Sequence, residues 1–217
     1  MIQRVYEQAM KSAFGQRVIV ATDDERIASK VREFGGEVFT TPQDIASGSE
    51  RVAYAAKNFD ADIYVNVQGD EPLMPPETID RTIQPLIEND QIEIGTAACK
   101  IKNENELLNP NVVKVVRSIT GRALYFSRAP IPYKRDRNDE SNRESDLYLK
   151  HIGIYAYRKN ALERFAALEE SMLERTEKLE QLRALENGIY IHVAIVGQDS
   201  VSVDTPDDVQ KVLEKLK

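Results

Sequence analysis

Several short stretches of this 217-residue chain carry residues whose type and place suit chemistry. In YVNVQGDEPLMPP, from Tyr64 to Pro76, an apolar run ends abruptly on Gln68, Gly69, Asp70 and Glu71. Ligands of open α/β sheets bind beyond the carboxyl ends of strands, and a glycine lets the backbone approach them closely. A carboxylate there suits Mg²⁺, which takes one or two protein oxygens and leaves its other positions to water and phosphate. The alternative is a plain strand-to-loop turn in which Asp70 caps backbone amides. Asp204 poses a similar choice. VDTPDDV reads by itself as a helix start, yet an Asp just before the N-cap, at a strand's end, could share one metal with Asp70 against a phosphoryl group.

Three further groups could recognise a ligand. In KHIGIYAYR, strand alternation puts His151, Gly153, Tyr155 and Tyr157 on one face. An imidazole and phenols without an aliphatic chain suit a hydroxylated ligand, or else an interface strand. Arg158 ends the same segment, and His192 in IYIHVAIV reads as a satisfied structural residue. In EKLEQLRALENG, Leu179, Leu182 and Leu185 form the apolar stripe of a helix. Glu180 and Arg183, three apart, either pair on a solvated face or reach a ligand beside Gln181. Arg128 closes the apolar run Tyr125-Phe126-Ser127, where its fork would match a ligand carboxylate.

These residues must be positioned by a regular framework. Helical spacing of Ile2, Val5, Tyr6, Ala9, Met10 and Ala13 opens the chain. Strands are expected at 17–21, 37–40 and 62–67. Helices are expected from Glu25 to Phe34, from the Ser47-Gly48-Ser49-Glu50 turn through Lys57, and after Pro76, where Pro85 should end or kink the last. This alternation argues for an α/β domain with a largely parallel sheet. The second half is strand-rich, at 92–101, 112–117, 123–127, 148–157 and 189–196, with a hairpin turn at 118–121. Residues 136–146 read as a polar, mobile loop, 173–186 as one helix, and the end as a helix capped by Thr205 with Pro206 in its first turn.

Composition bounds the partners. Hydrophobic residues make up 41% and charged ones 30%, with a net charge of −7. A soluble globular protein without a basic face fits this, and a nucleic-acid binder does not. No apolar run spans a bilayer, the N-terminus lacks a signal-peptide pattern, and the single Cys99 lies in an apolar segment as an inert thiol. A cytoplasmic protein without membrane insertion is expected. To handle anions, so acidic a chain must concentrate positive charge locally or recruit a metal.

VATDD, SGSERV, VNVQGDEP, NPNVVKVV, GRALYFSRAPIPY, HIGIYAYR, LEQLRALENG and VDTPDDV occur here in that order. Together they closely resemble the 3-deoxy-manno-octulosonate cytidylyltransferases (CMP-Kdo synthetases), from Val20 to the C-terminus. The resemblance implies a nucleotide-diphospho-sugar transferase fold: a Rossmann-like mixed α/β sheet with flanking helices and a smaller dimerisation subdomain, in one domain over 1–217. Residues around 112–160 would contribute to dimerisation and sugar binding. It implies CTP and Kdo (an eight-carbon acidic sugar) as substrates, Mg²⁺ as cofactor, CMP-Kdo for lipopolysaccharide synthesis as product, and a homodimer. Asp70 and Asp204 would bind Mg²⁺. Ser47, Gly48, Ser49 and Gln68 would line the nucleotide site, and Arg128, His151, Tyr155, Glu180 and Gln181 would recognise the sugar acid.

One departure matters. The family opens with a strand and a loop of the type PARxxSxRLPGKPL, which supplies Arg and Lys to the triphosphate, and Met1-Ile2 aligns with the helix that follows that loop. The absent strand is central, so its neighbours should lack backbone partners. The sequence reads either as truncated at its N-terminus or as a short form, weakly active or inactive, that binds sugar acid or nucleotide.

Overall fold

A computed structural model of the chain describes residues 1–45, 47–135, 147–200, 202–203 and 205–215. The expected loop at 136–146 lies outside the described residues. In chain order the elements are α1 (Ile2–Ala9), β1 (Val20–Thr22), α2 (Glu25–Glu33), β2 (Val38–Thr40), α3 (Gly48–Ala56), β3 (Ile63–Asn66), α4 (Pro76–Glu88), β4 (Ile94–Lys100) and α5 (Glu104–Leu108). Then follow β5 (Lys114–Arg117), β6 (Ala123–Ser127), β7 (Leu149–Arg158), α6 (Lys159–Ala166), α7 (Met172–Glu177), α8 (Gln181–Glu186), β8 (Ile191–Ile195) and α9 (Pro206–Lys215).

The helix starts follow their local chemistry. Asp24 caps α2 by accepting from the Arg26 amide at 2.8 Å, and Ser47 caps α3 by accepting from the Glu50 amide. Each satisfies an amide that the helix itself leaves unpaired. Pro76 opens α4 at a position where its missing N–H costs nothing. Pro85 does not end that helix, which continues to Glu88.

The main sheet is mixed, with β7 at its centre. Being ten residues long, β7 gives one edge to β4 while the other serves β5 at its start and β3 at its end. The strand order is β6-β5-β7-β4-β8, with β3 antiparallel to β7 and β8 parallel to β4. The turn after β5 reaches back to β8, where the Val193 amide donates to the Gly121 carbonyl at 2.8 Å. β1 and β2 form a separate parallel pair. Among the described residues, β1 and β3 are therefore each paired along one edge.

Two cores lie on the two sheet faces. One gathers Phe126, Tyr157, Phe165, Leu182 and Ile191. The other packs Met74, Ile79, Ile83 and Leu86 against Ile152, Ile154 and Ala156. β7 thus sends alternate residues to opposite cores. Gly95 is required where α4 presses on β4, because a Cβ there would stand 2.2 Å from the Thr82 carbonyl oxygen.

The expected single helix over 173–186 is instead two short ones. Lys178 takes φ 53° and ψ 49°, a left-handed conformation that ends α7 and swings the chain into α8. Helices α5 and α6 were not anticipated from the sequence pattern.

Candidate active site

β3 ends at Asn66, and Val67 to Glu71 carry the chain across the end of the sheet. Asp70 is half-buried there, and its carbonyl oxygen accepts from the Val203 amide at 2.9 Å. The segment leading into α9 is therefore fastened beside Asp70. Asp204 itself lies outside the described residues.

Negative charge collects at this strand end. Glu71 is 8% exposed, and its Oε2 is buried without a hydrogen-bond partner. Burial pushes its carboxyl up. A hydrogen bond with Ser200 opposes that shift, while the charges of Asp70 and Asp199 add to it. Asp199 pairs with Lys150 at 2.8 Å through Oδ2, and its Oδ1 is buried and unpartnered. Unsatisfied carboxylate oxygens beside Asp70 fit a cation-holding end of the sheet. Among the described residues no three His, Cys, Asp or Glu side chains converge as ligands. A cation held by few protein oxygens, with phosphate and water completing its shell, matches that donor set.

The start of α3 faces the same strand end. A Cβ at Gly48 would lie 3.2 Å from Asn66 Nδ2 and 3.4 Å from Gln68 Nε2. Gly48 thus keeps α3 close to the side chains that leave β3. The Asn66 Nδ2 donor is buried and unpartnered. Ser47 Oγ donates to Glu180 Oε1 at 2.7 Å across 133 residues of sequence. Ser49 is different: it is buried, and its hydroxyl bonds Tyr157 Oη at 2.9 Å. Ser49 holds α3 to β7 from behind, because its oxygen already has a partner in the core.

On β7 the expected polar face exists, as a row of rings. His151 stands 5.0 Å from Phe126 and 5.5 Å from Tyr155, and Tyr155 stacks on Tyr157 at 5.9 Å. His151 Nε2 lies 2.9 Å from Thr96 Oγ1. Burial pushes the imidazole down to about 3, so His151 is neutral at physiological pH. Burial, then the neighbouring Tyr157, raises the Tyr155 phenol well above its usual range. This wall offers neutral hydrogen-bonding groups and aromatic faces.

The α7–α8 corner closes the site, and here two expectations change. Arg183 does not pair with Glu180. It is buried and bound bidentately to buried Glu174 at 2.6 and 2.7 Å, which leaves Glu180 to Ser47. Arg128 does not present an open fork. Its guanidinium donates to the carbonyls of Glu177 (2.6 Å), Pro110 (3.0 Å) and Lys178 (3.2 Å). Helix carbonyls at a C-terminus need donors, and Arg128 supplies them. Buried Lys114 gives its ammonium to the carbonyls of Asn109, Val112 and Arg128. Gln181 is 7% exposed at the start of α8.

Other singled-out residues are structural. The Arg158 guanidinium binds carbonyls at the end of α4, including that of Leu86, and Asp90. His192 packs its ring on Gly121, but its Nδ1 is buried and unpartnered, so it is not the satisfied histidine expected. Cys99 is 4% exposed and burial raises its thiol to about 11, an inert group as expected. The sequence did not point to Thr96, Glu174 or Lys178; the two charged residues stood in a helix pattern that gave no sign of the break.

Ser47, Glu50, Glu174, Lys178, Glu180 and Arg183 border a cavity of about 380 Å³. Asp70, Gln68, Gly48, Ser47 and Glu180 thus form a chain of neighbours from the charged strand end to this cavity.

Known proteins resemble this chain in sequence and fold. A family model described as Cytidylyltransferase matches residues 1–194. The 3-deoxy-manno-octulosonate cytidylyltransferase of Geobacter sulfurreducens is 49% identical, over 100% of this chain and 89% of its own. That of Chloroherpeton thalassium is 50% identical, over 98% and 85%. A solved CMP:2-keto-3-deoxy-manno-octonic acid synthetase in complex with CTP superposes with a TM-score of 0.91 at 41% identity, covering 99% of this chain and 86% of that one. The 4-diphosphocytidyl-2C-methyl-D-erythritol synthase of Anaerococcus prevotii, at 14% identity and a TM-score of 0.64, shares the fold. With its mixed sheet and flanking helices, the chain is a nucleotidyltransferase and belongs to the cytidylyltransferase family.

Proposed function

We propose that this chain transfers CMP from CTP to Kdo, giving CMP-Kdo and pyrophosphate. The Ser47–Glu180 hydrogen bond is the observation that best supports this reading, because it joins the α3 start, beside Gln68 and the charged strand end, to the corner that borders the cavity. The likeness to a synthetase solved with CTP supports the same substrates.

In this reading the anomeric hydroxyl oxygen of Kdo forms a bond to the α-phosphorus of CTP. Its proton passes to solvent as the bond to the pyrophosphate oxygen breaks in line, and pyrophosphate leaves with the electron pair. Asp70, with Asp204, would hold a divalent cation, Mg²⁺, which lowers the nucleophile's pKa and neutralises phosphate charge. Gln68, Gly48 and Ser47 line the nucleotide side, with Ser49 supporting α3 from the core. Neutral His151 and Tyr155, with Glu180 and Gln181, meet the hydroxyls of the sugar, since carboxylates and carbonyls accept from them and phenols donate. Arg128 serves that side by fixing the α7–α8 corner.

The enzyme works in the cytoplasm as a homodimer, with residues 112–160 contributing to the interface. Exposed Ile119 and Leu124 on the β5–β6 hairpin support this. Among the described residues no helix is long and apolar enough to cross a membrane.

Coupled pyrophosphate release with CTP, Kdo and Mg²⁺ tests the reading. Release that requires all three is expected. No release, with no heat on titrating either substrate, would overturn it.

A further inference from the structure

His192 is one of two histidines in the chain, and the proposed transfer gives it no role. It borders a cavity of about 240 Å³ between α4, the end of β5 and β8, together with Arg81, Gln84, Glu88 and Arg117. None of Ser47, Gln68, Asp70 or Glu180 borders it. In a chain of net charge −7, two guanidiniums against one carboxylate make a local excess of positive charge. The carboxylate, that of Glu88, already accepts from Gln84 Nε2 at 2.6 Å. Arg81 is loosely held, with its side chain 57% exposed and its Nε 3.6 Å from Glu77. Arg117 Nη1 donates to the Val193 carbonyl at 2.8 Å, and among the described residues no carboxylate pairs with it.

The turn after β5 seats the His192 ring. Gly121 has φ 88°, and a Cβ there would stand 2.4 Å from the imidazole. Arg122 bridges His192 along the strand edge. Nδ1 is enclosed without a partner, and a buried polar nitrogen of this kind needs an explanation. Orphaned buried N–H groups are rarer than orphaned acceptors. The proton of the neutral ring therefore belongs on Nε2, which makes that nitrogen a donor. Burial, then the charge of Arg117, lowers the imidazole pKa from 6.5, so the ring is neutral at physiological pH. Donors from three separate elements thus border one cavity. Its volume is below the roughly 300 Å³ at which sites for larger organic ligands begin, so a small ion suits it better than a nucleotide.

We infer that this cavity binds a small phosphate-type anion, held by Arg81 and Arg117 with a hydrogen bond from His192. Guanidinium forks match phosphate oxygens bidentately, and a neutral imidazole N–H donates to an anion without needing a charge of its own. The site goes beyond the CMP transfer proposed above and does not depend on it.

NMR of the histidine rings during titration with inorganic phosphate, at ionic strength held constant with sodium chloride, tests the assignment. His192→Gln identifies the two signals. The His192 signal should shift saturably with phosphate, and the buried His151 signal should stay in place. Arg117→Gln should weaken phosphate binding about tenfold, the loss of one charged hydrogen-bonding partner. Because Arg117 also holds the Val193 carbonyl, Arg81→Gln on the exposed side of α4 is the variant that leaves the fold intact. It should weaken binding a few-fold. Asp70→Asn should leave the His192 response unchanged, and CMP should not produce it. A His192 signal that moves no more with phosphate than with sodium chloride would overturn the assignment. So would wild-type affinity in both arginine variants, loss of the response in Asp70→Asn, or an equal response to CMP.

Discussion

The α7–α8 corner and the end of β3, linked through the start of α3, are built in opposite ways. At the corner, Arg183 and Glu174 form a buried bidentate pair, Arg128 and Lys114 satisfy six carbonyls, and Leu182 is fully buried. At the strand end, Ile63 and Val65 are half-buried, β3 is paired on one edge, and carboxylate oxygens of Glu71 and Asp199 have no partner. The corner spends its charges on the fold. The strand end leaves one buried oxygen each of Glu71 and Asp199 without a partner, as the proposed cation site would require. Stability should therefore respond to mutation at the corner, and activity at the strand end.

The largest loss of stability is expected for Arg183→Met. It strands Glu174 as a buried carboxylate, which costs about 3–5 kcal/mol. Urea denaturation reads this directly, and a loss below about 1 kcal/mol would break the contrast, since that is the scale of an exposed pair.

Next comes a pair of matched truncations. Ile191→Ala on β8 empties a fully buried position and should cost about 2–5 kcal/mol. Val65→Ala on half-buried β3 should cost about 1 kcal/mol, because part of that side chain already faces water. Equal losses would mean that the strand end is as tightly packed as the rest of the sheet.

A third prediction uses pH. The His151 pKa is lowered by burial from 6.5 to about 3. A depressed folded pKa gives stability that is present above 6.5 and is lost as pH falls toward 3, where the unfolded chain binds the proton first. Replacing His151 by Gln should remove that part of the acid limb in denaturation midpoints taken between those pH values. An acid limb unchanged by the substitution would place the titration elsewhere.

An effect on stability alone is expected for Ser49→Ala. It leaves the Tyr157 hydroxyl buried without its partner and should cost about 1–3 kcal/mol at most, with the Km for CTP unchanged. A rise in that Km with no change in stability would return Ser49 to the nucleotide site.

Local chemistry was legible in the sequence, and long-range pairing was not. Asp24, Ser47 and Pro76 announced their helices because capping depends on the next three residues. The strand end at Gln68 to Asp70 was legible because an apolar run stopped on a glycine between polar groups. The face of β7 followed from alternation alone. Glu180 and Arg183 looked like a surface pair, since three-residue spacing carries no information about Glu174 nine positions away or Ser47 far upstream. The break at Lys178 was hidden because no glycine marks it. Arg128 read as a ligand fork because the carbonyls that take its donors belong to a helix end that the sequence did not reveal. The resemblance supplied the site as a set; of that set the structure places Ser47 and Glu180 on the cavity border and gives Ser49 and Arg128 partners within the fold.

The most direct test of the account compares activity and stability in Asp70→Asn. The change removes the charge proposed to hold the cation without changing size, and it relieves repulsion with Glu71. Pyrophosphate release from CTP and Kdo with Mg²⁺ should fall about a hundredfold or more, on the scale of losing one electrostatic contact to the transition state, while the melting temperature holds or rises. Turnover within a few-fold of wild type would contradict a cation held by Asp70, and with it the placement of the chemistry at the end of β3.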